Sequence, residues 1–301
     1  MGYTGPFGGR QLVLALLVLL VGVPASAQEG RRAGEATTLE AQLKSAAYHE
    51  PGAPDVAVHL PAGFDGSRPL HLVVFLHGYR GCVRVLMGKG RSRCKPEGPP
   101  RAGWELGARH DEAQTNTVLV VPQLAFMKRS GRPGCFARRG CFHEFLEEVL
   151  SRLLSPRLGR ALTLQDVETV SLVAHSAGFE TALAVLEQGE VAQVRNVVLF
   201  DALYSGAGSF AAWLERNAAA GAKLLSVHLG RGKTAAQSQQ LGRRLRRVLG
   251  PDGVLLMDSA EALVPALRQH SVVVARGRGS HRAVPEHYLA SVLRGLGLPA
   301  R

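Results

Sequence analysis

The chain has 301 residues, 46% of them hydrophobic and 20% charged. That suits one large α/β domain or two small ones with a sizeable core, and it excludes a disordered or fibrous polypeptide. The formal net charge is +12, mostly from arginine, since lysine occurs only six times; such a chain can meet anionic polymers or acidic substrates, although a solubilising surface is the commoner origin of such a balance.

Residues 1–27 read as a signal peptide. Arg10 supplies a positive start, Gln11–Val23 is an apolar run too short for a comfortable membrane span, and Ala25-Ser26-Ala27 has the A-x-A form of a cleavage site. The alternative is an uncleaved anchor. Cleavage removes only Arg10 from the charge, leaving about +11, and leaves no 18-residue apolar stretch for stable membrane insertion. The expected location is secreted or periplasmic. Export and the absence of a recognisable motif argue against a nucleic-acid partner.

Residues 28–50 are polar and alanine-rich and read as a linker with a short helix or edge element, ahead of a domain over 51–299. Asp55–Leu60 alternates apolar and polar residues, as a half-buried edge strand does. Leu70–Leu76 is a nearly continuous apolar run, the mark of a strand covered on both faces, and ends at His77-Gly78. Cys82–Arg101, rich in Gly, Pro, Lys and Arg, predicts a long basic loop. A helix over 104–113 and a buried strand over 117–121 follow, then a second basic loop over 128–141 and a helix over 143–154.

Thr169–His175 predicts a strand that runs through Ser176-Ala177-Gly178 into an alanine-rich helix. Beyond it, strands at Val194–Phe200, Lys223–Leu229 and His270–Ala275 alternate with helices over 210–219, 235–249, 259–267 and 284–296. The alternation predicts a doubly wound, mainly parallel sheet of about seven strands with helices on both faces. Ligands bind such sheets at the carboxyl ends of the strands.

The four cysteines, Cys82, Cys94, Cys135 and Cys141, are an even set in a chain expected to be exported, so they read as disulfides rather than a metal site. Three pairings are possible; the local one, Cys82–Cys94 with Cys135–Cys141, is favoured, with all four in loops.

The turn at Ser176 is where chemistry is expected. A serine hydroxyl becomes a nucleophile when a histidine takes its proton and a carboxylate orients that histidine. Small neighbours (Ala174, Ala177, Gly178) suit a sharp strand-to-helix turn. His281, just past the last strand in a Gly-rich loop, is the expected base. His287 should lie within the last helix, His175 should point away from the serine, and His270 begins a strand at the wrong end. Asp201, directly after a buried strand, is the expected acid, with Asp258 and Glu261 as later alternatives. The backbone N–H groups of Tyr79 and Ala177 are candidate oxyanion donors, and His77 and Gly78 candidate substrate contacts. This chemistry requires no metal or organic cofactor.

The strings LVVFLHG, AHSAG, LFDALY and GSHRAVPEHYL, in the order serine, acid, histidine, resemble the α/β-hydrolase fold family over about Asp55 to Leu296. The segment VHLPAGFDGSRPLHLVVFLHG resembles secreted esterases and depolymerase-like members. Two features depart from the family pattern. Ala174 stands where the first glycine of G-x-S-x-G is usual, and the acid follows the sixth strand in the family's count rather than the seventh. The resemblance implies an exported serine hydrolase acting on a small-molecule or polymeric ester. The alternatives are a peptidase or amidase with the same triad, and a non-catalytic protein that binds an envelope polymer. The basic loops are expected to rim the site, where their arginines, Arg91 and Arg93 among them, would favour an anionic substrate.

Overall fold

In the computed structural model, which describes residues 1–2, 34–125 and 132–301, the strands are β1 (Thr37–Ala41), β2 (Val56–Leu60), β3 (Leu70–Leu76), β4 (Arg91–Ser92), β5 (Arg101–Ala102), β6 (Val118–Pro122), β7 (Val167–His175), β8 (Val194–Phe200), β9 (Lys223–His228), β10 (Val254–Met257) and β11 (Val272–Arg276). The helices are α1 (Val83–Met87), α2 (Leu106–Asp111), α3 (Cys141–Val149), α4 (Ser155–Leu158), α5 (Gly178–Gln188), α6 (Ala207–Asn217), α7 (Gly232–Gly253), α8 (Leu263–Gln269) and α9 (Ala283–Gly295). The signal-peptide segment falls almost wholly outside the described residues, as does part of the second basic loop. Among the described residues no helix is long and apolar enough to cross a membrane.

Nine strands form one sheet in the order β1-β2-β6-β3-β7-β8-β9-β11-β10. β1 and β6 each pair antiparallel with β2, and every other neighbouring pair is parallel. Alternate residues of each strand enter opposite cores, as the two-residue period demands. Leu70, Leu72, Val74 and Leu76 join Phe142, Phe145 and Leu146 of α3, Val185 of α5 and Leu241 and Leu245 of α7. Val73 and Phe75 join Val83 and Leu86 of α1, Leu106 of α2, Leu263 of α8 and Leu289 and Val292 of α9. All seven residues of β3 are buried.

Four expectations are corrected. The sheet has nine strands rather than about seven, because β1 and β10 add an outer strand at each side. The 28–50 segment supplies β1, and its pairing with β2 makes Asp55–Leu60 an internal strand with all of Val56–Leu60 buried. The stretch Cys82–Arg101 is not an open loop: it contains α1 and one arm of the β4–β5 hairpin. The disulfides are Cys82–Cys94 and Cys135–Cys141, but Cys141 is the buried first residue of α3 rather than a loop residue.

Candidate active site

β7 ends at His175, and the chain turns through Ser176 into α5 with Ser176 at φ 56°. A left-handed conformation costs a non-glycine residue about 1–3 kcal/mol, so its surroundings must hold it. The Ser176 N–H donates to the Phe200 carbonyl at 3.3 Å and the Phe179 N–H to the Ser176 carbonyl at 3.4 Å. Two glycines let neighbouring backbone close on the turn. A Cβ on Gly178 would lie 2.1 Å from the Leu76 carbonyl oxygen. A Cβ on Gly78 would lie 2.5 Å from the Ser176 Cβ and 3.1 Å from the Ala177 nitrogen, so the Gly78-Tyr79 backbone runs directly beside the serine turn.

Asp201 lies directly after β8, buried, at φ 43°. Its Oδ2 accepts from His281 Nδ1 at 2.6 Å and its Oδ1 from the Thr234 hydroxyl at 2.5 Å. Burial opposes its charge, but bonds from His281, Thr234 and the Leu229 N–H prevail and hold the carboxyl below its ordinary value. His281 is thereby fixed with its Nδ1 engaged, which leaves Nε2 free to take a proton. Ser176 and His281 line one cavity of about 520 Å³. The expected serine, acid and histidine are thus brought to one end of the sheet, whereas Asp258 and Glu261 line a different hollow.

His77 is a clamp. The Leu124 N–H donates to its Nε2 at 2.9 Å, so the ring proton sits on Nδ1 and donates to the Gly78 carbonyl at 3.0 Å. Burial pushes its pKa down to about 4, keeping the ring neutral. His77 thus ties the Gly78-Tyr79 segment to the end of β6. Gly78 and Tyr79 also line the cavity, and the Tyr79 ring is exposed beneath the Arg80 guanidinium.

His175 does not turn away from the site. Its ring lies 4.6 Å from that of His281 and 5.1 Å from Trp104, and its Nε2 donates to the His281 carbonyl at 3.0 Å. Tyr204, three residues beyond Asp201 within LFDALY, was not anticipated either. Burial first, then the Asp201 charge, raise the pKa of its phenol, against an opposing hydrogen bond with Ser176. Its place in that string was the available signal. Of the two arginines singled out in the first basic loop, Arg91 lines the cavity, while Arg93 donates to the Pro96 and Gly98 carbonyls at 3.3 and 3.0 Å.

One further group could offer metal ligands. Ligand atoms of His59, His110 and Asp111 lie within 4.8 Å of one another. Arg301 already stands 3.8 Å from the Asp111 carboxylate, so an added cation there would share that carboxylate with a guanidinium.

No family model and no curated protein matches the sequence. Among solved structures, the chain is similar to the feruloyl esterase module from Clostridium thermocellum, in a mutant form complexed with sinapinate, at 11% identity and TM-score 0.51 over 89% of this chain and 90% of that one. It is also similar to a protein described as FAE, at 11% identity and TM-score 0.52 over 87% and 88% of the two chains. The likeness is one of fold, and the chain has the α/β-hydrolase fold.

Proposed function

We propose that this chain is an exported serine hydrolase that cleaves carboxylic esters, small or polymeric, through an acyl-enzyme on Ser176. The observation that carries the reading is the Asp201–His281 hydrogen bond at 2.6 Å beside a serine held at φ 56° in the same cavity. A strained, left-handed serine is hard to account for on packing grounds, and a buried, charged Asp on a histidine is the partner a proton-accepting imidazole needs.

In this mechanism the Ser176 oxygen attacks the ester carbonyl while His281 Nε2 takes the hydroxyl proton. Asp201 stabilises the imidazolium. The tetrahedral oxyanion is held by the N–H groups of Ala177 and Tyr79, each worth about 3–4 kcal/mol in such sites. The imidazolium returns the proton to the leaving alkoxide, and the alcohol departs. Water then repeats the sequence on the acyl-enzyme, releasing the acid and restoring Ser176. Two disulfides support an oxidising destination, and the arginines of the cavity favour esters bearing negative charge.

Labelling of the purified protein by a fluorophosphonate tests the reading. The wild type should label and Ser176→Ala should not; an unlabelled wild type overturns it. Chromogenic esters beside the matching anilides should show ester turnover dominating.

A further inference from the structure

The cavity that holds Ser176 and His281 is also lined by Arg80, Arg91, Arg101 and Arg282 and, among the described residues, by no carboxylate. Arg282 has a partner, Glu286 at 3.6 Å, and lies over the Trp104 ring. The other three are engaged differently. Arg91 donates to the Pro100 carbonyl at 2.8 Å, Arg101 to the Arg80 carbonyl at 2.8 Å, and Arg80 stacks on Tyr79. Among the described residues none of the three has a carboxylate partner. Arginines elsewhere commonly do: Arg68 with Asp65, Arg109 with Glu112, Arg152 with Glu148 and Arg160 with Asp166. Each guanidinium carries five donors, so one bond to a carbonyl leaves most of them unspent.

These side chains stand on a braced platform. The β4–β5 hairpin sets Arg91 opposite Ala102 and Ser92 opposite Arg101. The Cys82–Cys94 bridge fastens it to the start of α1. Arg282, next to His281 in sequence, donates to the Ala102 and Gly103 carbonyls at 2.7 and 2.9 Å. The hairpin that carries two of these three charges is therefore tied to the segment that carries the histidine.

We propose that Arg80, Arg91 and Arg101 form a binding site for an anionic oxyacid group, carboxylate or phosphate, on the substrate itself. The proposal rests on Ser176 as nucleophile and names the class of ester it takes. The three arginines line the same cavity of about 520 Å³ as Ser176, so one small ligand can place its anionic group against them and its scissile carbonyl at the serine. Guanidinium forks match both oxyacids bidentately; among the described residues Glu97 lines the adjoining hollow with Arg80 and Arg101 but forms no ion pair with either.

The test uses three chromogenic esters of one acyl length whose far end is a carboxylate, a phosphonate or a methyl ester. The wild type should turn over at least one anionic ester at least about tenfold faster in kcat/KM than the neutral one, and rising ionic strength should erode that ratio. Whichever anion leads identifies the source of the group. Arg91→Ala and Arg101→Ala should each lower the anionic-to-neutral ratio several-fold, with partial recovery in the Lys variants. The salt titration is made on the wild type and stands even if a variant fails to fold. A ratio near one, or a ratio indifferent to salt, overturns the proposal while leaving the serine reading intact. Absence of both fluorophosphonate labelling and neutral-ester turnover overturns the serine reading first.

Discussion

The His175 imidazole lies 4.6 Å from that of His281 and donates its Nε2–H to the His281 carbonyl at 3.0 Å. Burial, then the neighbouring His281, push the pKa of His175 down to about 3, so at neutral pH it stays an uncharged donor with a fixed proton. It thereby holds the backbone of the residue whose ring, on the proposed mechanism, takes the Ser176 proton. His175→Phe keeps a ring against Trp104 but removes that bond. Its kcat should fall roughly 10- to 100-fold with KM little changed, since small misplacements of a reacting group carry costs of that size. A rise in KM at constant kcat would assign His175 to substrate contact instead.

Gly78 faces the serine turn too closely for any side chain. Its added Cβ would meet Ser176 Cβ at 2.5 Å and the His175 carbonyl oxygen at 2.9 Å, and neither can yield without moving the turn. Gly78→Ala should slow fluorophosphonate labelling by at least about 100-fold and lower stability by about 1–3 kcal/mol. Gly90→Ala is the matched control, because nothing lies within 4 Å of a Cβ there. Equal labelling rates in the two variants would contradict the close approach.

Asp201 divides its oxygens between His281 and Thr234. Thr234→Val leaves Oδ1 short of a donor and should lower stability at neutral pH by about 1–2 kcal/mol. The sign with pH follows from the lowered carboxyl pKa. Its contribution is complete above the unfolded value of about 3.9 and is lost as pH falls through the folded value. In the variant the folded value rises toward the unfolded one, so the contribution is smaller and its loss is complete at a higher pH, which denaturant titrations at several pH values will measure. On the proposed mechanism Asp201→Asn should reduce kcat far more, by about 10⁴-fold.

Three buried histidines are held neutral: His77 near 4, and His110 and His175 near 3, each chiefly by desolvation. Above about 6.5 they are neutral in both folded and unfolded chains. Between about 6.5 and 4 the unfolded chain takes up protons that the folded one refuses, so stability falls as pH falls. The slope is up to about 1.4 kcal/mol per pH unit for each histidine. Tm should therefore drop steadily from pH 7 to 4.5; a flat profile would mean that these rings protonate in place.

The strands Leu70–Leu76 and Val194–Phe200 could be read to the residue, because burial on both faces writes itself as a mostly apolar run, interrupted only by His71 in the first and by Arg195 and Asn196 in the second. Ser176, Asp201 and His281 were legible for a related reason, since each follows such a run or lies just beyond one. The outer strands were not. β1 is a polar TTLEA stretch whose structure comes from pairing with β2, and no local pattern announces a partner distant in sequence. The hairpin within Cys82–Ala102 was hidden likewise by its Gly and Pro content.

Sequence alone determined the fold class, the local pairing of the cysteines as the favoured choice, and that Ser176 and Asp201 directly follow strands while His281 lies in the loop beyond one. Only the tertiary structure decided what gathers around them. His175 meets a carbonyl 106 residues away, Thr234 meets Asp201, and Arg80 and Arg101 line the cavity that holds Ser176. Periodicity reports whether a position is buried; the partner a polar side chain finds depends on loops from distant parts of the chain arriving at the same sheet edge.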